Sequence, residues 1–258
     1  QSLDPRVPSD AHSARITTLV NEALYIIGPN SEPVPQLVES HEQVDQTTHL
    51  FRLKSGRRFA DGSELFAHDA AYTYISQADP ALNSKREIIV RKFAEITALD
   101  DHTLKIRVKQ PYAAFISDLT LEIIPARADK KDRAAFQKAP FGSGPYRVAG
   151  FEPGAQAALE RNPFYNGPPP FFSRLIFRII PDDVTRVMAL ERGEVQLLLN
   201  NVQPEDLPSL KANPNLKIIM EPGINSSYMG FNLEDPILKD VRVRRAIAHA
   251  IDRDKLID

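Results

Sequence analysis

From residue 141 onward the chain alternates short apolar runs with amphipathic runs of helical spacing, and this alternation restricts its possible folds more than any other feature. Residues 146–151 and 156–161 flank Glu152-Pro153-Gly154, a turn tripeptide, and residues 175–180 form a strongly apolar strand. Asp182 or Asp183 caps a helix bearing Val184, Val187, Met188 and Leu190, closed by Gly193. A strand at 194–199, a short helix at 204–211 and a strand at 216–220 follow. Asp240 then caps a helix that gathers Val243, Ala246, Ile247, Ala250 and Ile251 on one face, a stripe that must meet a core. Strands and helices taking turns in this way predict an α/β layer.

The preceding section has a different period. Residues 47–54 place His49, Phe51 and Leu53 on one face and stop at Ser55-Gly56. Residues 94–109 read as a hairpin turning at Asp100-Asp101, with Leu104, Ile106 and Val108 alternating with Lys105, Arg107 and Lys109. That is the pattern of a strand with one face on a core and one in water. Helices are predicted at 67–75 and, after Pro111, at 112–119. Residues 1–45 are loop-rich, with five prolines and one short apolar stretch at 16–27. At 258 residues, one large or two smaller domains are expected.

Charge and composition exclude several function classes. With 32 Lys+Arg against 34 Asp+Glu, the net charge of −2 argues against a nucleic-acid phosphate binder. The chain has no cysteine, hence no thiol nucleophile, disulfide or Cys-ligated metal. No apolar run approaches the roughly 18 residues that span a bilayer. No basic segment followed by an apolar stretch opens the chain, so any signal peptide is expected to be already missing.

Catalytic and metal motifs fail on spacing. The six histidines show neither His-x-x-x-His nor His-Glu-x-x-His, so no metal site is expected. Phe141-Gly142-Ser143-Gly144-Pro145 fails the Gly-x-Ser-x-Gly elbow, and no phosphate-binding or dinucleotide fingerprint occurs. Asp100/Asp101 and Asp182/Asp183 read as a turn and a cap rather than an acid/base dyad. Arg242, Arg244 and Arg245 form the polar face of a helix. No catalytic residue and no cofactor are assigned.

Eight strings in register resemble the bacterial extracellular solute-binding proteins of family 5, the dipeptide/oligopeptide/nickel type that serves ABC importers. Leu3-Asp4-Pro5 resembles the family's LDP, and Asn21-Glu22-Ala23-Leu24 its YEGL, with Ala23 for Gly. The run from Phe51 to Gly62 resembles FxLRxGVKFHDG, and Ala67-His68-Asp69-Ala70 resembles TAEDV. Gly142-Ser143-Gly144-Pro145-Tyr146 resembles GTGPY, and Glu160 to Tyr165 resembles ERNPDYW. Arg186 to Val195 resembles R…AL..GEVD, and Asp240 to Asp252 resembles DVRVRQAIAYAID. Three departures stand out: Phe66 replaces a helix-capping Thr, a loss worth roughly 0.5–2 kcal/mol, Gln196 replaces Asp, and Asn166 replaces Trp or Gly.

The resemblance implies a type II periplasmic-binding-protein lobe, a mixed sheet with flanking helices, plus an inserted β-rich α+β subdomain. Residues 1–45 and 141–258 are expected to form the lobe and 46–140 the insertion. The family's second lobe and first strand are missing from the sequence, which reads as a truncated N-terminal lobe. The family works as a clamshell whose closure grips a solute, here expected to be a peptide, for delivery to an ABC permease. By resemblance Glu22, Ala23 and Leu24 line one pocket wall, although Leu24 as core and Glu22 as a solvated edge explain the same string. Asn225, Ser226 and Tyr228, opening a strand at 228–232, are ligand-edge candidates, with plain strand-end polarity as the other reading. Ser143 and Gly144 lie in a hinge-side turn, where Gly permits φ > 0. The implied location is periplasmic or extracellular, with a lipoprotein anchor in the full-length form. The apolar stripe of the last helix makes a homodimer a further expectation. A solute-sensing domain of a transcriptional regulator with the same fold is the alternative function.

Overall fold

The computed structural model describes residues 2–7, 10–199, 202–221, 228–252 and 255, and it divides into two compact units, 1–182 and 183–258. In the first unit α1 (Ala11–Val20) precedes β1 (Tyr25–Ile27), β2 (Pro33–Pro35), β3 (Val38–Gln43) and β4 (Thr48–Leu53). Next come α2 (Ala67–Ser76), α3 (Glu87–Val90), β5 (Phe93–Ala98), β6 (Thr103–Val108), α4 (Ala126–Lys131) and α5 (Arg133–Lys138). The unit ends with β7 (Tyr146–Glu152), β8 (Gln156–Arg161) and β9 (Arg174–Arg178). The second unit carries α6 (Asp183–Glu191), α7 (Leu207–Ala212) and α8 (Val241–Ala250).

Among the described residues three antiparallel sheets carry the first unit: the pair β1-β2 and two larger sheets in orders β3-β4-β6-β5 and β7-β8-β9. Period-two patterning sets the register of the four-stranded sheet. Phe51 and Leu53 of β4 and Leu104, Ile106 and Val108 of β6 are all buried, and α2 closes over them with Ala67, Ala70, Ala71 and Tyr74. The β5–β6 turn is fixed by Asp100, whose Oδ1 accepts the His102 and Thr103 N–H groups at 2.8 Å each. A second, smaller core joins Leu3, Ile16 and Val20 to Tyr146, Ala157 and Leu159, bringing α1 onto β7 and β8.

The missing Thr cap of α2 is replaced from two sides. Asp69 Oδ2 accepts the Phe66 N–H at 3.0 Å, the return half of a capping box, and the Ala67 N–H donates to Asp101 O at 2.7 Å. Two donors at this helix end therefore find partners without a side-chain acceptor at position 66.

Several predicted elements change. β3 has no apolar alternation because it is an edge strand with every residue after Val38 exposed, so its sequence carries no core signal. The helix expected at 112–119 is a single 3₁₀ turn, Ile116–Leu119, since burying Phe115 and Leu119 needs only one turn. The runs 194–199, 216–220 and 228–232 are not strands: among the described residues they have no ladder partner, and an apolar run without one is not a strand. α8 forms as expected, with Asp240 Oδ1 accepting the Arg242 N–H at 2.8 Å, but none of its residues is buried.

One ionic cluster ties the N-terminal segment to three helices. Arg6, fully buried, meets Asp4 Oδ2 through Nη2 at 2.7 Å and Asp129 Oδ1 of α4 at 2.6 Å, with Nη1 to Asp129 Oδ2 at 2.8 Å. Ser76 of α2 accepts from Arg6 Nη1 at 3.3 Å, Tyr72 of α2 donates to Asp129 at 2.6 Å, and Gln137 of α5 donates to Asp4 at 3.2 Å. Removing one partner leaves the others charged and dry. Arg6→Ala is expected to destabilise the fold by about 3–5 kcal/mol in urea unfolding; a loss below about 1 kcal/mol would show that the cluster is not an anchor.

Candidate functional site

Residues 21–24 leave α1 and run between the two cores. Their main chain is held from several sides: Ile123 N–H donates to Glu22 O at 2.8 Å and Leu37 N–H to Ala23 O at 3.1 Å. Ala23 N–H donates to Gln36 Oε1 at 2.8 Å, and Gln36 N–H to Leu24 O at 3.0 Å. Leu24 is a member of the first core and Ala23 is buried beside it.

Glu22 is only 2 % exposed. Its Oε1 lies 3.5 Å from Arg57 Nη1, while its Oε2 is buried without a hydrogen-bond partner. Ser143, 1 % exposed, is close enough to stabilise the carboxylate, yet its Oγ completes no hydrogen bond. Burial raises the Glu22 pKa, and Arg57, Ser143 and Lys54 offset part of that rise. The Tyr165 hydroxyl is raised as well, first by burial and then by the Glu22 charge. Arg57 also donates to Asn166 Oδ1 at 2.8 Å, and Asn166 Nδ2 donates to Gly56 O at 2.8 Å. A carboxylate, a guanidinium, a hydroxyl and a phenol thus meet where the two cores adjoin, with two polar atoms unpaired.

Gly142 and Gly144 are required for close approach rather than for positive φ, which corrects the reading of the Ser143-Gly144 turn. Neither is among the glycines at positive φ. A Cβ on Gly144 would stand 2.7 Å from Val20 C and 2.8 Å from both Asn21 N and Leu19 O, all backbone atoms. Gly144 N–H donates to Val20 O at 2.8 Å, and its carbonyl accepts from Asn162 Nδ2 at 2.9 Å. The Gly-Ser-Gly segment therefore lies directly on the exit of α1.

The structure brings Glu22, Ala23, Leu24, Ser143 and Gly144 together. Tyr228 belongs to the second unit and is 88 % exposed, and Asn225 and Ser226 lie outside the described residues. Sequence reasoning missed Arg57, Tyr165 and Gln36. Arg57 stands where the FxLRxGVKFHDG pattern has Val, and the departure at Asn166 is the residue that holds its guanidinium, so the two departures together were the available signal.

A family model described as bacterial extracellular solute-binding proteins, family 5 Middle, matches residues 32–258. The chain belongs to this family. The dipeptide-binding protein of Escherichia coli K12 is 25 % identical over 255 residues, covering 88 % of this chain and 47 % of that protein. A glutathione-binding protein of E. coli O1:K1 is 27 % identical over 263 residues, covering 99 % and 51 %. Among solved structures, the periplasmic binding protein DppA of Helicobacter pylori in complex with peptide STSA superposes with a TM-score of 0.89 at 25 % identity, over all of this chain and 55 % of that one. NikZ of Campylobacter jejuni in complex with Ni(L-His) gives 0.90 at 23 % identity, covering 99 % and 52 %. The α/β fold of the family's binding proteins is thereby shown, and the chain spans about half the length of the curated relatives it matches.

Gly144→Ala is expected to lower stability by about 1–3 kcal/mol, because only backbone can yield; an unchanged urea midpoint would show that the exit of α1 is not tightly packed. Glu22 gives a pH signature. A carboxyl whose folded pKa is raised contributes stability below its ordinary pKa and loses it as pH rises through the raised value. As pH rises above about 4 the wild type should therefore lose stability relative to Glu22→Gln. Parallel urea midpoints across that range would contradict the assignment.

Proposed function

We propose that this chain supplies one lobe of a peptide receptor that hands its ligand to an ABC permease in the periplasm or at the cell surface, anchored as a lipoprotein in a longer form. The observation that carries the reading is the superposition of the whole chain on half of a peptide-bound DppA, together with the family match. The role is binding rather than catalysis. In the first unit, Glu22, Ala23, Leu24, Ser143 and Gly144 stand behind one wall of the proposed solute site, and the Glu22 Oε2 and Ser143 Oγ atoms there are buried without hydrogen-bond partners. Tyr228 of the second unit, with Asn225 and Ser226 as its sequence neighbours, is proposed separately as a ligand-edge residue with an exposed ring. Among the described residues no helix is long and apolar enough to cross a membrane.

The lobe division is proposed in the same terms, residues 1–45 with 141–258 and an insertion at 46–140. A core that joins the N-terminal segment to 146–159, separate from the one holding residues 51–123, supports it, although Leu24, Tyr25, Leu37 and Val38 pack in the latter. β3 lies ahead of residue 46 but is hydrogen-bonded to the insertion's sheet. Self-association through the α8 stripe has the exposure of that helix as its support, and sedimentation showing only monomer at high concentration would reject it.

A pocket that buries most of a ligand's surface needs walls on both sides. A single lobe leaves one ligand face in water, so this chain is expected to bind a dipeptide mixture no tighter than about millimolar by calorimetric titration. Micromolar binding would overturn the two-lobe reading.

A further inference from the structure

The connection between β8 and β9 ends in two adjacent phenylalanines that face water. Phe171 is 87 % exposed and Phe172 59 %, with their rings edge to face at 5.0 Å and 87°. Single exposed apolar residues are ordinary, but two large rings side by side on a loop make a contiguous apolar tip. The tip is held in place. Pro168-Pro169-Pro170 fix φ at three successive positions ahead of it. The Tyr146 hydroxyl donates to Phe172 O at 3.0 Å, Arg161 Nε donates to the same oxygen at 3.3 Å, and Arg161 Nη2 donates to Phe171 O at 2.8 Å. Tyr146 belongs to the smaller core, so the backbone carrying both rings is tied to the body of the first unit.

The charge around the tip has one sign. Residues 161–178 hold Arg161, Arg174 and Arg178 and no aspartate or glutamate, in a chain whose net charge is −2. All three arginines are exposed. Glu160, the acid just ahead of them, is already engaged by Arg147 Nε at 2.8 Å. Arg161 uses two N–H donors on the tip's own carbonyls and still carries its full charge. On β9, Ile176 is exposed between Arg174 and Arg178 on the same face, so apolar and basic groups continue together away from the tip.

We propose that Phe171 and Phe172 enter the interfacial layer of an anionic lipid bilayer, while Arg161 and Arg174 meet the lipid phosphates around them. Apolar insertion joined to basic attraction is the combination that holds peripheral segments at such a surface. Size separates this occupant from a protein. Two phenylalanines offer about 150–250 Å² each, whereas a specific protein interface takes about 800 Å² from each partner. A bilayer needs no matching shape, and two rings already held in place lose little freedom on entering it. Each arginine close to an anionic surface strengthens binding about fivefold. The contact needs neither a solute nor a second lobe, and it turns the β8–β9 end of the first unit toward the membrane.

The test is co-sedimentation of the full chain, free of tag and lipid anchor, with vesicles of phosphatidylcholine alone and of phosphatidylcholine mixed equally with phosphatidylglycerol. The chain should bind the anionic vesicles, at least about tenfold more tightly than the neutral ones, and high salt should weaken that binding. Replacing both rings, Phe171→Ser with Phe172→Ser, should weaken it at least about tenfold without changing the circular dichroism. Arg174→Glu, at an exposed position, should weaken binding to the anionic vesicles alone. Ile247→Ser, on the apolar stripe of α8, should leave binding unchanged. The chain has no tryptophan, so Phe171→Trp places a single indole at the tip, whose emission should shift to the blue on anionic vesicles. Absence of vesicle binding, which leaves a protein as the tip's partner, overturns the proposal. So does a doubly substituted chain that binds as the wild type does, or an indole emission that anionic vesicles do not move.

Discussion

A single guanidinium carries more of this architecture than its size suggests. Arg6 is buried among Asp4, Asp129 and Ser76, and Leu3, three residues earlier, belongs to the smaller core with α1, β7 and β8. The N-terminal segment therefore reaches into that core with an apolar side chain and onto the helices over the larger sheet with a charged one. Burial alone would oppose the Arg6 charge, but the two carboxylates reverse this and hold the guanidinium more firmly protonated than usual. Such a cluster adds little net stability compared with apolar packing, yet it tolerates only one arrangement of donors and acceptors. It fixes where the segment goes.

The second joint between the cores is the stretch from Asn21 to Leu24. Its backbone is claimed from both sides by Gln36, Leu37 and Ile123, and the glycines at 142 and 144 let a further loop lie against the exit of α1. Glu22 sits here with one oxygen near Arg57 and one unpaired. A buried carboxylate with an unsatisfied oxygen is costly, and packing alone gives nothing back for it. The Arg57–Asn166–Gly56 contacts link the loop after β4 to the loop after β8 at the same place.

Much of the first unit was legible in the residues themselves. Leu104, Ile106 and Val108 declared a half-buried strand, Asp100 its turn, and Ala67, Ala70, Ala71 and Tyr74 the helix that covers it. β3 was illegible because an edge strand with exposed side chains has no periodic signature. The runs at 194–199 and 216–220 carried strand-like residues, but strands are defined by partners, which local sequence does not contain. Of the candidate site, Glu22 and Ser143 were singled out from the resemblance; Arg57 and Tyr165 were not, because their meeting with Glu22 depends on segments more than thirty residues apart in the chain.

The sequence by itself determined the family, the two periodicities, the absence of thiol chemistry and the caps at Asp100 and Asp240, since each depends on residue identity or on neighbours within a few positions. Only the tertiary structure decided that Arg6 is buried between two aspartates, that Gly144 is needed for backbone proximity and not for its φ, and that His41 and His49 face one another. Those facts arise from contacts between segments distant in sequence. Hydrogen bonding and burial act on distances in space, and residue order constrains such distances only within an element or across a short turn.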